Sequence, residues 1–559
     1  ALPIFTIFDE GQEVRHMSEE KKFLHVKAFE GQTFIISVLV SVFSAVICMQ
    51  IISRIGTTPN TSVIGALFAM ALARIPFASL SRFRSLDRQN LVQTMASAAG
   101  FGAANCCLLA VGILYVFGDP SLIVPMLVGS GMATLIGMHL VYSLFDSEMF
   151  PARESWAPGI ATAEALIAGD EGGKKGRTLL SGIVLGAAGA GCRIKPFLSG
   201  GLPMAGVGIA FIANPWAMSA LAAGLLIRGY YPSLVPWLSS LGLTNLPADL
   251  GKTYIPHGFM IGAGLISLIQ ALVMIFKKSV REFSSESAPT VTHAAAKKAI
   301  AAHIGYFAVA AVILATITGF MTSMEPPKLI LWVVWCTFSS ISAAILVGLC
   351  AMFSGWFPGF AVTVIFVSLG LFMNFPLAAL AVLAGFVSST GPCFADMGYD
   401  LKTGWVIRGS GKNREYELDG RRQQMFSELF GGLIAAVVVG LLMKMHFNLN
   451  LLPPVSRVFA ATVQAGSDYA ILLEMLCWAV PGALLQVAGG SKKALGILCA
   501  TGLLIRNPIY GVGLVVALIL RALFIKNHEE AMQLYGAGFV AGDGLFGFFN
   551  AIGRSFGWW

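Results

Sequence analysis

Apolar stretches follow one another along almost the whole chain with little between them, and this pattern limits the possible folds more than any motif does. They fall at 32–53, 62–80, 91–117, 121–145, 178–192, 204–227 and 255–276, then at 300–321, 329–353, 356–374, 376–395, 425–443, 470–488, 494–505, 509–525 and 534–552. A helix crosses a bilayer with about 20 mostly apolar residues, so each run is long enough to span or nearly so. Composition agrees, because the 559 residues are 56% hydrophobic and only 12% charged, with a mean hydropathy of +0.77, against roughly 25% charged in an average soluble chain. A disordered chain, a coiled coil and a conventional cytosolic enzyme are excluded. The expected fold class is an all-α polytopic membrane protein of about 14–16 transmembrane helices. Gly and Pro interrupt several runs, and lipid tolerates the freed backbone groups only where protein or water satisfies them, so broken or re-entrant half-helices are expected among the spans.

The formal net charge of +8 bears on orientation in the membrane, not on an anionic partner such as nucleic acid. Basic residues gather in cytoplasmic loops, which places the stretches Arg82–Arg88, Gly172–Arg177, Lys277–Lys298 and Lys402–Arg422 on that side. Residues 1–30 are mixed and charged, without the apolar core of a signal peptide, and are read as a cytoplasmic segment. Four regions follow: that N-terminal segment, a first transmembrane half over 31–278, a cytoplasmic linker over 279–298 with several Ser residues, and a second half over 299–559. The segment 147–170 is too short and polar for an ordinary span and reads as a re-entrant helix. The nine cysteines lie mostly in apolar stretches and read as small buried residues, not as disulfides or a CxxC metal site.

An internal repeat supports the two halves. Phe211-Ile-Ala-Asn-Pro215, followed by Ala220 to Arg228, aligns without gaps with Leu504-Ile-Arg-Asn-Pro508, followed by Gly513 to Arg521. After each copy, Gly258-Phe-Met-Ile-Gly-Ala-Gly-Leu265 matches Gly538-Phe-Val-Ala-Gly-Asp-Gly-Leu545. Duplicated halves with interrupted helices are the architecture of many secondary transporters, whose site lies between the repeats.

Signatures of soluble-enzyme chemistry are absent: there is no GxxxxGK[ST], HExxH or GxSxG, and the eight histidines are scattered without ligand spacing. Carboxylates in apolar surroundings are more informative, since each costs about 2.5–3.5 kcal/mol on insertion scales. The candidates are Glu164, Asp396, Asp400, Glu428, Asp468, Glu474 and Asp543. Burial lets such a group take up and release a proton near neutral pH, and Glu164, Glu428 and Asp543 are read as the proton-coupling residues. Thr57-Thr-Pro-Asn-Thr-Ser62 breaks the first hairpin with groups suited to capping. Gln89, Asn90, Gln93, Thr94 and Ser97 recur on one broad helical face beside Ala96, Ala98, Ala99 and Gly100. The expected midplane site combines Asn60, Gln93, Ser97, Glu164 and Glu428.

These motifs resemble the oligopeptide transporter superfamily, which includes the yellow stripe-like metal-chelate carriers, and its bacterial members especially. The resemblance rests on Gln89–Gly100, Pro158-Gly-Ile-Ala-Thr-Ala-Glu-Ala-Leu-Ile-Ala-Gly169, Gly206-Val-Gly-Ile-Ala-Phe-Ile-Ala-Asn-Pro215 and Asp400-Leu-Lys-Thr-Gly404. It implies a proton-driven symporter of the cytoplasmic membrane that imports small oligopeptides or peptide-like metal chelates by alternating access, with the proton gradient as energy source and no cofactor. Gln93 and Ser97 then match the polar face of the family's early helix, and Glu164 the acidic position of its short helix. Asp400 and Lys402 match a motif whose charged pair is expected to fix a cytoplasmic turn. Where many members carry Asn-Pro-x-Ser-Gly, this chain has Ser354-Gly-Trp-Phe-Pro-Gly-Phe360, which points to an apolar or aromatic-bearing solute. No Cys/His cage is present, so any metal would arrive already chelated. A homodimer is the expected assembly; a channel, and below it a membrane-embedded enzyme, are the competing classes.

Overall fold

The computed structural model describes residues 25–55, 61–74, 83–192, 201–242, 246–276, 289–464, 469–505 and 507–555. They are almost wholly helical. In chain order the helices are α1 Gly31–Ile55, α2 Thr61–Ala73, α3 Leu86–Phe101, α4 Leu109–Phe117, α5 Ile123–Leu144, α6 Ala157–Glu171, α7 Gly173–Gly191, α8 Met204–Ile212, α9 Pro215–Ser240 and α10 Ile255–Phe276. The second half follows with α11 His293–Ile317, α12 Pro326–Ser354, α13 Gly359–Phe372, α14 Leu377–Ser388, α15 Gly391–Ile407, α16 Arg414–Asn448, α17 Pro454–Gln464, α18 Tyr469–Lys493, α19 Leu495–Leu504 and α20 Pro508–Ser555.

Eight helical stretches among the described residues are long and apolar enough to cross a bilayer: Gly31–Ser53, Leu86–Phe117, Pro120–Leu144, His293–Ile317, Pro326–Ser354, Leu377–Ile407, Arg414–Asn448 and Leu473–Gly490. Shorter apolar helices run over Val362–Phe372 and Leu495–Leu504, whereas Ile255–Gln270 and Pro508–Phe524 are apolar parts of the longer α10 and α20. Large apolar side chains stay exposed on the outer faces, Val309 at 60% on α11, Val437 at 61% and Leu441 at 75% on α16. Such bands face lipid in a multi-pass membrane protein, where an exposed Leu costs nothing and an unpaired peptide group costs several kcal/mol. The bundle centre is filled by α3, buried from Gln89 to Phe101, and α15, buried from Gly391 to Gly404. Between α3 and α4 the winding widens to a π-helix over Gly102–Leu108, a device found often at functional sites.

The repeat is visible as a reciprocal exchange of packing. In the first copy α7 and α8 lie against α20 of the second, while α18 and α19 of the second lie against α10 and α9 of the first. Both copies break before an Asn-Pro pair for the same reason: Asn214 Oδ1 accepts the amides of Trp216 and Ala217, Asn507 Oδ1 accepts that of Tyr510, and each Pro occupies the first helical turn where its missing N–H is no loss. The matched glycines make the seams. A Cβ on Gly538 would stand 2.7 Å from Gly182 Cα, and one on Gly258 2.8 Å from Met475 Cα, so both helix pairs approach backbone to backbone, as small-xxx-small spacing allows.

Two expectations change. Asp400 and Lys402 form no cytoplasmic turn; they lie inside α15, which runs on to Ile407, and each has its own tertiary partner, Gln93 Nε2 for Asp400 and the Ala152 carbonyl for Lys402. Tertiary hydrogen bonds carry buried charges through a helix that local charge density alone would end. The basic stretch around them therefore contracts to residues 408–413 between α15 and α16. In the linker, helix α11 already begins at His293. Segment 147–170 does contain a helix too short to span, α6, entered through a turn in which the Asp146 amide donates to Phe150 O at 2.8 Å. The nine cysteines are unpaired.

Candidate functional site

Three central helices each bring a polar pair spaced four residues apart to one buried seam: Gln93 and Ser97 from α3, Asp396 and Asp400 from α15, and Gln424 and Glu428 from α16. One turn of helix separates the members of each pair, so both face the same neighbours. Ser97 and Thr61 donate to Asp396 Oδ1 at 3.0 and 3.2 Å, and Ser62 Oγ lies 3.1 Å from Ser97 Oγ. Gln93 Nε2 donates to Asp400 Oδ1 at 2.6 Å. Gln424 Nε2 donates to the Asp400 carbonyl at 2.6 Å and to Thr94 Oγ1 at 3.2 Å, while its Oε1 accepts from Arg408 at 2.8 Å.

The carboxyls of Asp396, Asp400 and Glu428 converge so that their nearest oxygens all lie within 4.8 Å of one another, and all three residues are buried. No described Lys, Arg or His forms an ion pair with any of them. Asp396 Oδ2, Asp400 Oδ2 and both oxygens of Glu428 have no hydrogen-bond partner. Two unit charges at 4.8 Å repel by about 3 kcal/mol even at an effective dielectric of about 20, and three such pairs add. The cluster is therefore built to share protons or to hold a hard cation, for which carboxylate oxygens are the fitting donors.

A cavity of about 430 Å³ opens beside the cluster, with Asp396, Thr61 and Tyr399 on one wall and the repeat helices α8 and α20 on the other. That volume lies in the range of small-ligand pockets, about 300–1,000 Å³. Asp543 faces it from α20, its Oδ2 accepting the amide of Ala205 at 2.6 Å in the first turn of α8. Trp356 and Phe357 project from the α12–α13 turn, where Gly355 takes φ +68°. They stack at 6.4 Å, with Phe101 against Phe357 at 4.9 Å and Tyr510 against Trp356 at 5.9 Å. The same two side chains also border a second cavity of about 250 Å³ that reaches Asn105 in the π-helical stretch.

Of the residues expected from sequence, Gln93, Ser97 and Glu428 meet in the cluster. Asp543 lies across the cavity. Glu164 sits half-buried on α6, in neither the cluster nor the cavity lining, and Asn60 lies outside the described residues. Asp400 moves from a supposed turn to the centre of the site. Asp396 as a site residue, Tyr399, Thr61 and Gln424 were missed; the four-residue spacing of Asp396 and Asp400 inside an apolar stretch was the available signal.

A family model described as OPT oligopeptide transporter protein matches residues 32–553. No curated protein matches the chain.

Proposed function

The chain belongs to the oligopeptide transporter family, and from that premise we propose that it is a proton-coupled symporter of the cytoplasmic membrane that imports small oligopeptides by alternating access. The observation that carries the reading is the buried, uncompensated cluster of Asp396, Asp400 and Glu428 placed directly against a cavity between repeat helices. A carrier that uses a proton gradient needs a group that gains and loses a proton next to the cargo, shielded from bulk water. Glu428, both of whose carboxylate oxygens lack a partner, is the principal proton carrier; Asp400 shares the proton, and Gln93 and Ser97 orient the two aspartates. Asp543 contributes to cargo binding from the opposite wall.

The test is uptake of trialanine into proteoliposomes under an inward proton gradient. Wild-type protein accumulates the peptide, and collapsing the gradient with an ionophore stops accumulation. Glu428→Gln removes accumulation yet keeps exchange of internal for external peptide, because exchange needs the conformational cycle but no net proton movement. Gradient-driven accumulation by Glu428→Gln at the wild-type level would remove Glu428 from the coupling role, and ionophore-insensitive accumulation by the wild type would remove proton coupling itself.

A further inference from the structure

Among the described lining residues the charge of the cavity is one-sided. Asp396 and Asp543 both border it, and its described lining residues include no Lys, Arg or His. At the Asp396 end two groups await a ligand. Thr61 and Ser97 occupy only Oδ1 of Asp396, leaving the buried Oδ2 without a partner, and the Tyr399 hydroxyl, on a residue only 4% exposed, has none either. Between the two carboxylates the walls are aromatic: Trp356, Phe357 and Tyr510. Carboxylates and ring faces both attract ammonium and guanidinium groups, and an anionic group entering the same space would meet repulsion from both carboxylates while losing part of its hydration.

We propose that this cavity selects cationic peptides, taking an α-ammonium or basic side chain at Asp396 and Tyr399, with aromatic walls along its length and Asp543 opposite. The inference rests on the reading of this cavity as the transport site and adds its substrate class. Peptides of net positive charge bind best, and carboxylate-rich cargo, metal chelates of that kind included, is turned away. Three carboxyls accommodate both partners: Asp396 faces the cavity and meets the ammonium, while Asp400 and Glu428 lie behind it and share the proton.

The full chain in lipid nanodiscs is titrated calorimetrically with Ala-Lys-Ala amide, trialanine and N-acetyl-Ala-Glu-Ala. The amide is expected to bind about tenfold or more tightly than trialanine, since a hydrogen bond to a charged group contributes about 1.5–3 kcal/mol, and the acetylated acidic peptide is expected not to bind. Asp396→Asn and, separately, Asp543→Asn should each reduce the preference for the amide, with folding checked by monodisperse elution; two variants on opposite walls keep the test alive if one misfolds. Equal binding of the acidic and basic peptides, or an undiminished preference in both variants, overturns the inference while uptake of trialanine leaves the transporter reading standing. Binding and uptake of none of the three peptides overturns both.

Discussion

Replacing a seam glycine by alanine tests the reciprocal packing of the repeats, because two effects of known size act with opposite sign. Alanine is favoured over glycine inside a helix by about 1 kcal/mol, from backbone entropy alone. At Gly538 the new Cβ would stand 2.7 Å from Gly182 Cα and 2.8 Å from Leu179 O, both backbone atoms that cannot rotate away. Reaching an ordinary 3.4 Å contact from 2.7 Å requires 0.7 Å of separation between α7 and α20, and a gap of that size forfeits a quarter to a half of each dispersion contact along the seam. Overpacking of this kind costs about 1–3 kcal/mol. Gly305 on α11 is the control, since nothing lies within 4 Å of a Cβ built there. Gly305→Ala should therefore gain the propensity term, and Gly538→Ala should fall below it by about 1–3 kcal/mol. At about 0.9 °C per kcal/mol for a chain of this length, thermal unfolding in one detergent should separate the two variants by roughly 1–3 °C. Gly258→Ala, at the equivalent position of the other copy, should behave like Gly538→Ala. Identical unfolding temperatures for Gly538→Ala and Gly305→Ala would refute the close approach, and with it the exchange of helices between the repeats.

The buried pair of Arg408 and Glu417, joined at 2.7 Å and extended to Arg421 at 3.1 Å, ties the start of α16 to the end of α15; Glu417→Ala leaves the buried Arg408 without its ion-pair partner and Arg421 with Asp146 at 3.9 Å, and should cost about 3–5 kcal/mol, measured as a lowered unfolding temperature, whereas a surface Glu415→Ala should change it little. Trp356→Ala should join the 430 and 250 Å³ cavities and admit longer peptides, so that a hexapeptide gains affinity relative to a tripeptide in a thermal-shift titration; unchanged length preference would show that the Trp356 side chain does not divide them. Thr61→Ala combined with Ser97→Ala removes both hydrogen bonds to Asp396 Oδ1; the carboxylate loses the contacts that orient it, and calorimetric titration should show weaker binding of Ala-Lys-Ala amide with the affinity for trialanine less affected.

What could be read in advance follows from whether a constraint acts along the chain or between distant parts of it. Lipid acts on every residue of a span, so the apolar runs marked the helices, and the Asn-Pro pairs at 214–215 and 507–508 marked both breaks because capping is decided within three residues. The glycines shared by 258–265 and 538–545 were legible as a repeat, and the contacts of four of them, Gly258, Gly262, Gly538 and Gly542, show why those positions stay small: each meets backbone of the opposite copy. The site is different in kind. Gln93 and Asp400 are 307 residues apart in sequence and 2.6 Å apart in space, and nothing local tells a buried Asp-Leu-Lys-Thr-Gly from an exposed one. The charged pair argued for a turn there; the deciding fact is that Gln93, Gln424 and Ala152 supply partners from three other segments, and a polar group in hydrocarbon goes where its partners are. The usable clue was spacing. Asp396 and Asp400, Gln424 and Glu428, and Gln93 and Ser97 are each four apart, so each pair lies on one face of its helix. In the fold these three faces are buried against one another, which brings the three carboxyls to a common point.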